Sequence, residues 1–494
     1  MAFAALVPVL LWTPQNQFVR AIFIGAGIVL LFGLVDDLKN IGYKAKFAGH
    51  MAAALVVILY GGIRIKSLGM LLPHGVLLPD WVAIPLTLLV IVGVTNAINL
   101  ADGLDGLAAG MCLLTFLCLG YLAYRGENMV ILIFSVAMVG AIFGFLRFNT
   151  YPATLFMGDA GSTLLGFLAV TLALALTQQR SPFNVLIPLL LLGFPVLDTL
   201  TVISERIAEG RSPFVADKNH FHHKLLRLGL YHTEAVFLIY VLQAVLVTCA
   251  FLFRFYSEWF LLLSYVVFSG LILFAFALAH KSGWKAKRYN LFDKMIKGKL
   301  RRLREKRMHI RVYFNMACAL FAAILVFSSL LPQGLPLYSS FFAMLVLGLI
   351  CIVSLARKAW MAHALRIALY LFTPLLIYAG RGSAAFWING DAIRLYNIAF
   401  GALALFVILT LKFTARTKGF KISPTDFLIL FIALVVPNLP EEQIRSHHLG
   451  LVAARMIVLF FAYEVLMGEL RGKVSRVGLP IIAALAIITV RGFF

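Results

Sequence analysis

Charged side chains are scarce in this chain. Asp, Glu, Lys and Arg make up 13% of its 494 residues, about half the share of an ordinary soluble domain. That excludes a conventional water-facing surface over most of the molecule. Acidic residues are scarcer still, 21 against 43 Lys and Arg. Cysteine is limited to five positions, 112, 118, 249, 318 and 351, all within apolar runs. Such placement excludes a disulfide or zinc framework and fits small core residues. No basic segment precedes the first apolar run and no small-residue cleavage site follows it, so membrane targeting is expected from later spans.

What fills the space is apolar: 62% of residues are hydrophobic. Runs near the ~20 residues an α-helix needs to cross the hydrocarbon layer recur along the whole length. About seventeen are expected, including 1–12, 47–63, 184–203, 426–438, 450–468 and 478–491. Lipid leaves the backbone no water to bond, so the fold class is all-α, a polytopic integral membrane protein. With alternating spans and residues 102–106 in the cytoplasm, most Lys and Arg fall in cytoplasmic loops, thirteen of them between residues 280 and 311. The excess positive charge is membrane topology, not a nucleic-acid footprint.

The basic stretch divides the chain. Residues 1–280 carry the polar motifs, 281–311 form a basic cytoplasmic linker, and 312–494 form an additional seven-helix bundle of unknown function. Within the linker, Leu291, Phe292, Met295, Ile296, Leu300 and Leu303 recur at helical spacing between cations. This suits either an amphipathic helix on anionic lipid or a solvated connector.

Residues 1–170 hold seven acidic residues, and five of them sit in three short motifs. GLVDDLKN (33–40) ends a span on Asp36 and Asp37. NAINLADGLDGLAAG (96–110) sets Asn96 and Asn99 on one helix face, with Asp102 and Asp105 among glycines that break the helix and admit a ligand to the backbone. FMGDAGSTLLGF (156–167) places Asp159 where a helix opens, as an N-cap or beside an anion. The expected topology brings all three to one membrane face, where carboxylates are costly and usually have a task.

A fourth motif, ERIAEGRSPFVADKNHFHHKLL (205–226), offers Arg206, Arg211, Lys218, His220, His222 and His223. Zinc or a purely structural loop are alternatives, but crowded cations without cysteine suit phosphate oxygens better. Clustered Asp and Asn beside a cationic loop describe a site for Mg²⁺ and a pyrophosphate. Its position at the lipid edge points to one membrane-borne substrate and one soluble, cytoplasmic substrate.

VDD, NAINLADGLDGLAAG, FMGDAGS and SPFVADKNHFHH, in that order, resemble the polyprenyl-phosphate N-acetylhexosamine-1-phosphate transferases, over roughly residues 1–280. The resemblance implies transfer of a sugar-1-phosphate from a UDP-N-acetylhexosamine to undecaprenyl phosphate, with release of UMP, at the start of cell-envelope polysaccharide synthesis. It implies Asp36, Asp37 and Asp159 as catalytic residues. Lys46, Asn99, Asp102, Asp105, Arg206, His220, His222 and His223 are implied to bind substrate. Asp159 and Asn99 are implied to hold Mg²⁺, with Mn²⁺ as a substitute. HFHH, in place of three consecutive histidines, goes with UDP-N-acetylhexosamines in that family, and UDP-GlcNAc is the leading donor. The expected location is the bacterial inner membrane, multi-pass, with the active site facing the cytoplasm among membrane lipids. A homodimer is left open.

Two departures bear on these expectations. The chain opens with MAFAALVPVL, so the family's first helix and the loop after it are expected to be missing. The bundle from 312 onward extends beyond the usual family length and carries Arg366 and Arg455 within spans. Those arginines suit a lipid diphosphate, a pair with Glu464 or a neighbour, or snorkelling to the interface. A transporter or flippase of lipid-linked sugars is a competing function. Midplane polar residues would mark it, whereas the acidic motifs here gather at one edge. An inactive scaffold is the third reading.

Overall fold

The computed structural model describes residues 2–73, 75–178, 182–212, 219–285, 308–332, 335, 337–356, 360–380, 390–413, 449–470 and 475–492. The basic linker beyond residue 285, Lys218 and the 426–438 run lie outside them. The described residues form helices and connecting loops without strands, as expected of a backbone that must satisfy itself in lipid. They separate into two compact units, residues 1–287 and a second unit made mainly of residues 288–494.

The first unit contains α1 (Ala2–Trp12), α2 (Gln17–Lys39), α3 (Tyr43–Leu55), α4 (Asp80–Ala101), α5 (Leu107–Arg125) and α6 (Met129–Asn149). It continues with α7 (Gly158–Gln178), α8 (Ile187–Leu191), α9 (Gly193–Ala208), α10 (Phe221–Arg227), α11 (His232–Leu252) and α12 (Glu258–Lys281). Side chains start several of them: Asn16 accepts from Val19 N–H at 2.9 Å, and Asn128 from Ile131 N–H at 3.1 Å. Such caps satisfy donors that the helix leaves open.

Helices α5 and α7 are the most enclosed, and α2, α4 and α6 pack around them. Small residues set the spacing. A Cβ on Gly33 of α2 would stand 2.5 Å from the Ala160 Cα of α7, and one on Gly166 would stand 2.9 Å from the Thr95 Cα of α4. Backbone-to-backbone approach of this kind is how helices associate where lipid offers no hydrophobic drive.

The second unit contains α13 (Met308–Leu330), α14 (Leu337–Ala356), α15 (Met361–Ala379), α16 (Gly390–Phe413), α17 (Leu449–Leu470) and α18 (Ser475–Arg491). Its core gathers Phe321, Leu369, Phe372, Leu459 and Tyr463.

Eleven helices among the described residues are long and apolar enough to cross a membrane. The seventeen expected spans are not reached for identifiable reasons. Residues 1–12 make only the 11-residue α1. The 47–63 run divides into α3 and a π turn, Val56–Tyr60. The 184–203 run breaks at Leu192, between Pro188 and Pro195. The break is satisfied from within: Thr115 Oγ1–H and Gln243 Nε2–H donate to the Leu191 carbonyl at 2.8 and 2.7 Å, and Tyr265 O–H to that of Gly193 at 3.0 Å. The 450–468 and 478–491 runs are helical as α17 and α18, while 426–438 falls outside the described residues.

Candidate active site

The site starts where α2 ends. Asn40 adopts φ 52 and closes the helix with its N–H on the Asp36 carbonyl, so Asp36 and Asp37 fall in the last turn. Their side chains then diverge. Asp37 accepts the backbone N–H groups of Asp159 at 2.7 Å and Ala160 at 3.1 Å, capping α7 from a neighbouring helix. Gly158, at φ +66, lies so close that a Cβ would stand 2.6 Å from the Asp37 carboxylate. The glycines of GLVDD and MGDAG thus serve one junction.

Asp36 turns to the other side and accepts Ile41 N–H at 3.0 Å. Its second oxygen lies 3.6 Å from Lys46 Nζ. Lys46, in the first turn of α3, also donates to Asn99 Oδ1 at 3.0 Å and makes a short contact with Asp159 Oδ2. Asn99 Nδ2 donates to Asp159 Oδ1 at 2.9 Å and to Ser162 Oγ at 2.8 Å. Three oxygens from three helices therefore converge on one ammonium. His50, one turn further along α3, is buried nearby.

No group of three or more His, Cys, Asp or Glu arranged to hold a metal occurs among the described residues. Mg²⁺ does not require one, since it is usually held by one or two carboxylates together with substrate phosphates and water. Asn99 Oδ1 and Asp159 Oδ2, the two side chains expected to hold the ion, both point at the same cation, Lys46 Nζ. Their oxygen chemistry and shared focus fit Mg²⁺.

The 102–106 turn does two things. Asp102 is half-buried next to the charges of Asp159 and Asp105, and desolvation first, then these neighbours, push its carboxyl up to about 7. Asp105 is engaged structurally: its carboxylate accepts Ala153 N–H at 2.9 Å, and its own N–H donates to His232 Nε2 at 3.1 Å. Gly106, at φ +80, donates to Asn149 Oδ1 at 2.9 Å and accepts Tyr240 O–H at 2.6 Å. Asp105 therefore ties down the 149–155 loop.

The histidine motif folds onto this turn. His222 is 3% exposed, and its imidazole occupies the space where a side chain on Gly103 would sit. Burial, reinforced by His223, lowers its pKa to about 4. Burial thus favours the neutral imidazole of His222. His220, 4% exposed, is held through Nδ1 by Asp198 at 2.9 Å, and Asp198 also accepts Phe221 N–H at 2.7 Å. His223 lies against His222 with ring centroids 4.2 Å apart and the rings tilted by 46°. Arg206 is buried in the last turn of α9, the helix that carries Asp198.

Asp198, Ser162 and Asn149 escaped the sequence reading. Asp198 had a usable signal, a carboxylate inside an apolar run. Ser162 and Asn149 had none, being small polar residues next to stronger motifs.

The model of glycosyl transferase family 4 matches residues 19–177. The chain is 34% identical over 284 residues to a probable undecaprenyl-phosphate N-acetylglucosaminyl 1-phosphate transferase of Bacillus subtilis, covering 57% of this chain and 78% of the relative. It is 30% identical over 287 residues to the undecaprenyl-phosphate alpha-N-acetylglucosaminyl 1-phosphate transferase of Escherichia coli, covering 56% and 76%. A decaprenyl-phosphate N-acetylglucosaminephosphotransferase of Mycolicibacterium smegmatis is 37% identical over 245 residues, covering 45% and 60%.

Proposed function

The chain belongs to glycosyl transferase family 4, and on that premise we propose that its first unit transfers GlcNAc-1-phosphate from UDP-GlcNAc to a polyprenyl phosphate. The observation that carries this reading is the convergence of Asp36, Asn99 and Asp159 on Lys46, beside a histidine loop seated on the 102–106 turn. The chain is a multi-pass membrane protein. The distribution of Lys and Arg supports a cytoplasmic orientation for this site in the bacterial inner membrane.

The reaction is a displacement at phosphorus. An oxygen of the polyprenyl phosphate attacks the β-phosphorus of UDP-GlcNAc. The bond from that phosphorus to the bridging oxygen breaks, and its electron pair leaves with UMP. The product is polyprenyl diphosphate-GlcNAc. A phosphate monoester has its second pKa near ~6, so the nucleophile is largely dianionic at neutral pH and needs little deprotonation. The obstacle is repulsion between anions.

Asp159 and Asn99 would hold Mg²⁺, which when bound neutralises phosphate charge and stabilises the leaving phosphate. Lys46 turns from Asp159 toward the lipid phosphate. Asp36 steers Lys46 and the nucleophile. Asp37 fixes the α7 N-terminus on which Asp159 rides. His220, oriented by Asp198, and neutral His222 bond the diphosphate, with Arg206 supplying fixed positive charge. Preorganised donors of this kind act where charge develops in the transition state.

The test is UMP release from UDP-GlcNAc by the purified chain with undecaprenyl phosphate. Release that requires both lipid and Mg²⁺, and that vanishes in folded Asp159→Ala protein, is expected. Full activity in that variant, or release without lipid, would overturn the assignment.

A further inference from the structure

The second unit treats two intramembrane arginines differently. Arg366 on α15 is neutralised: its guanidinium forms a two-pronged pair with Glu464 of α17, Nε to Oε1 at 2.8 Å and Nη2 to Oε2 at 3.0 Å. Tyr370 O–H also donates to Glu464, at 2.8 Å. This matches one of the alternatives open in the sequence.

Arg455, also on α17, is 8% exposed. Among the described residues it has no carboxylate partner. Its Nη2 donates to Asn397 Oδ1 of α16 at 2.5 Å. The guanidinium lies 5.0 Å from the ring centre of Tyr396 and 5.7 Å from that of Phe400. The Tyr396 hydroxyl bonds Ser328 Oγ of α13 at 2.7 Å, which fixes that ring.

Aromatic faces and an amide oxygen hold the cation in place, and among the described residues none of its partners carries a negative charge. A guanidinium has five N–H donors in a planar fork, and the Asn397 amide adds N–H groups beside it. A charge kept inside a membrane bundle without a counter-ion is expensive and marks a binding site by default.

The depth of the cluster selects the ligand. Arg455 lies six residues after the start of α17 and Asn397 seven after the start of α16, while Ser328 lies two before the end of α13. At about 1.5 Å rise per residue Arg455 and Asn397 sit roughly 10 Å in from the starts of their helices, and Ser328 about 3 Å from the end of α13. The helices that carry the group are long and apolar, which favours an anion carried on a lipid over a soluble one. The phosphate of a lipid reaches the group from the interface while its chains stay in hydrocarbon.

We propose that Arg455 and Asn397, braced by Tyr396, Phe400 and Ser328, form a binding site for the phosphate of a membrane lipid. The site is made of second-unit residues alone and does not depend on the transfer reaction assigned to the first unit.

The test counts lipids retained by the full-length protein, by native mass spectrometry after incubation with phosphatidylglycerol, undecaprenyl phosphate or phosphatidylcholine. Asn397→Asp is the informative variant. It keeps the side-chain shape and the acceptor for Arg455 but gives the guanidinium a carboxylate. Arg455→Gln removes the charge itself. Both are expected to retain one phosphate lipid fewer per chain, or to bind it at least tenfold more weakly, with UMP release unchanged at saturating substrate.

Loss confined to undecaprenyl phosphate would identify a polyprenyl carrier as the ligand. Loss of phosphatidylglycerol as well would identify ordinary anionic phospholipid. Retention in folded Asn397→Asp protein equal to that of the parent would overturn the proposal and leave Arg455 a purely structural cation.

Discussion

Asp37 accepts the N–H of Asp159 at 2.7 Å, so the carboxylate at the end of α2 holds the helix start that carries the carboxylate of the cation cluster. Adjacent in sequence, Asp36 and Asp37 belong to different interactions. One faces Lys46, and the other replaces the missing intrahelical acceptor for α7. Asp37→Ala should therefore lower stability by about 1 kcal/mol, the usual cost of losing a cap. Asp37→Asn and Asp37→Ser, which keep an acceptor, should recover most of that loss and much of the UMP release. Thermal melts beside activity assays decide the point. An inert but fully stable Asn variant would show that the charge of Asp37, and not its capping, is what the reaction uses.

Lys46 stands where the expected ligands of a divalent cation meet. Removing its ammonium leaves Asp36 and Asp159 facing each other without a counter-charge, which favours another cation. Lys46→Met should bind Mn²⁺ more tightly than the parent, read by electron paramagnetic resonance. Its UMP release should fall by about 100-fold or more, the scale for losing one preorganised electrostatic contact. Unchanged or weaker Mn²⁺ binding would show that lysine and metal do not share the site.

Asp198 orients His220 through Nδ1 and at the same time fixes the start of α10 through Phe221 N–H. A carboxylate of this type sets the tautomer and direction of the ring it holds. Asp198→Asn should slow UMP release by about 10- to 100-fold, in line with losing an orienting partner. The loss should fall mainly on kcat, because the ring is still present but misdirected. Asp198→Ala should in addition lower the melting temperature, since Phe221 N–H and His220 Nδ1 are then left buried without an acceptor. Equal activity in the parent and the Asn variant would remove Asp198 from the site.

Much of the first unit was legible because polar residues stand out in so apolar a chain. Asp36, Lys46, Asn99 and Asp159 meet, and short motifs alone indicated that the three carboxylate-bearing segments share one end of the bundle. The division of labour inside each motif was not legible. Asp105 sits three residues from Asp102 in the same turn, yet it secures Ala153, a contact that depends on a loop folding back across the turn. The 184–203 run passed for a span because hydropathy does not register that Thr115 and Gln243, distant in sequence, will satisfy a broken backbone at Leu191. Arg455 and Arg366 looked alike in sequence, since the facing helix supplies Glu464 to one and Asn397 to the other.

Asp102 gives the protein a pH-dependent strain. Its carboxyl is pushed up from an ordinary 3.8 to about 7, first by burial and then by the charges of Asp159 and Asp105. Below about pH 4 it is protonated in both folded and unfolded chains and contributes nothing. Between about pH 4 and 7 the unfolded chain releases the proton while the folded chain keeps it, so stability falls as pH rises. Above 7 both forms are ionised and the full cost of the half-buried charge remains. Asp102→Asn keeps the shape without the charge. Its melting temperature should match the parent near pH 4, exceed it increasingly through the intermediate range, and stay above it by a constant amount beyond pH 7. A difference that does not change with pH would mean that Asp102 is already ionised at acidic pH and that its neighbours do not strain it.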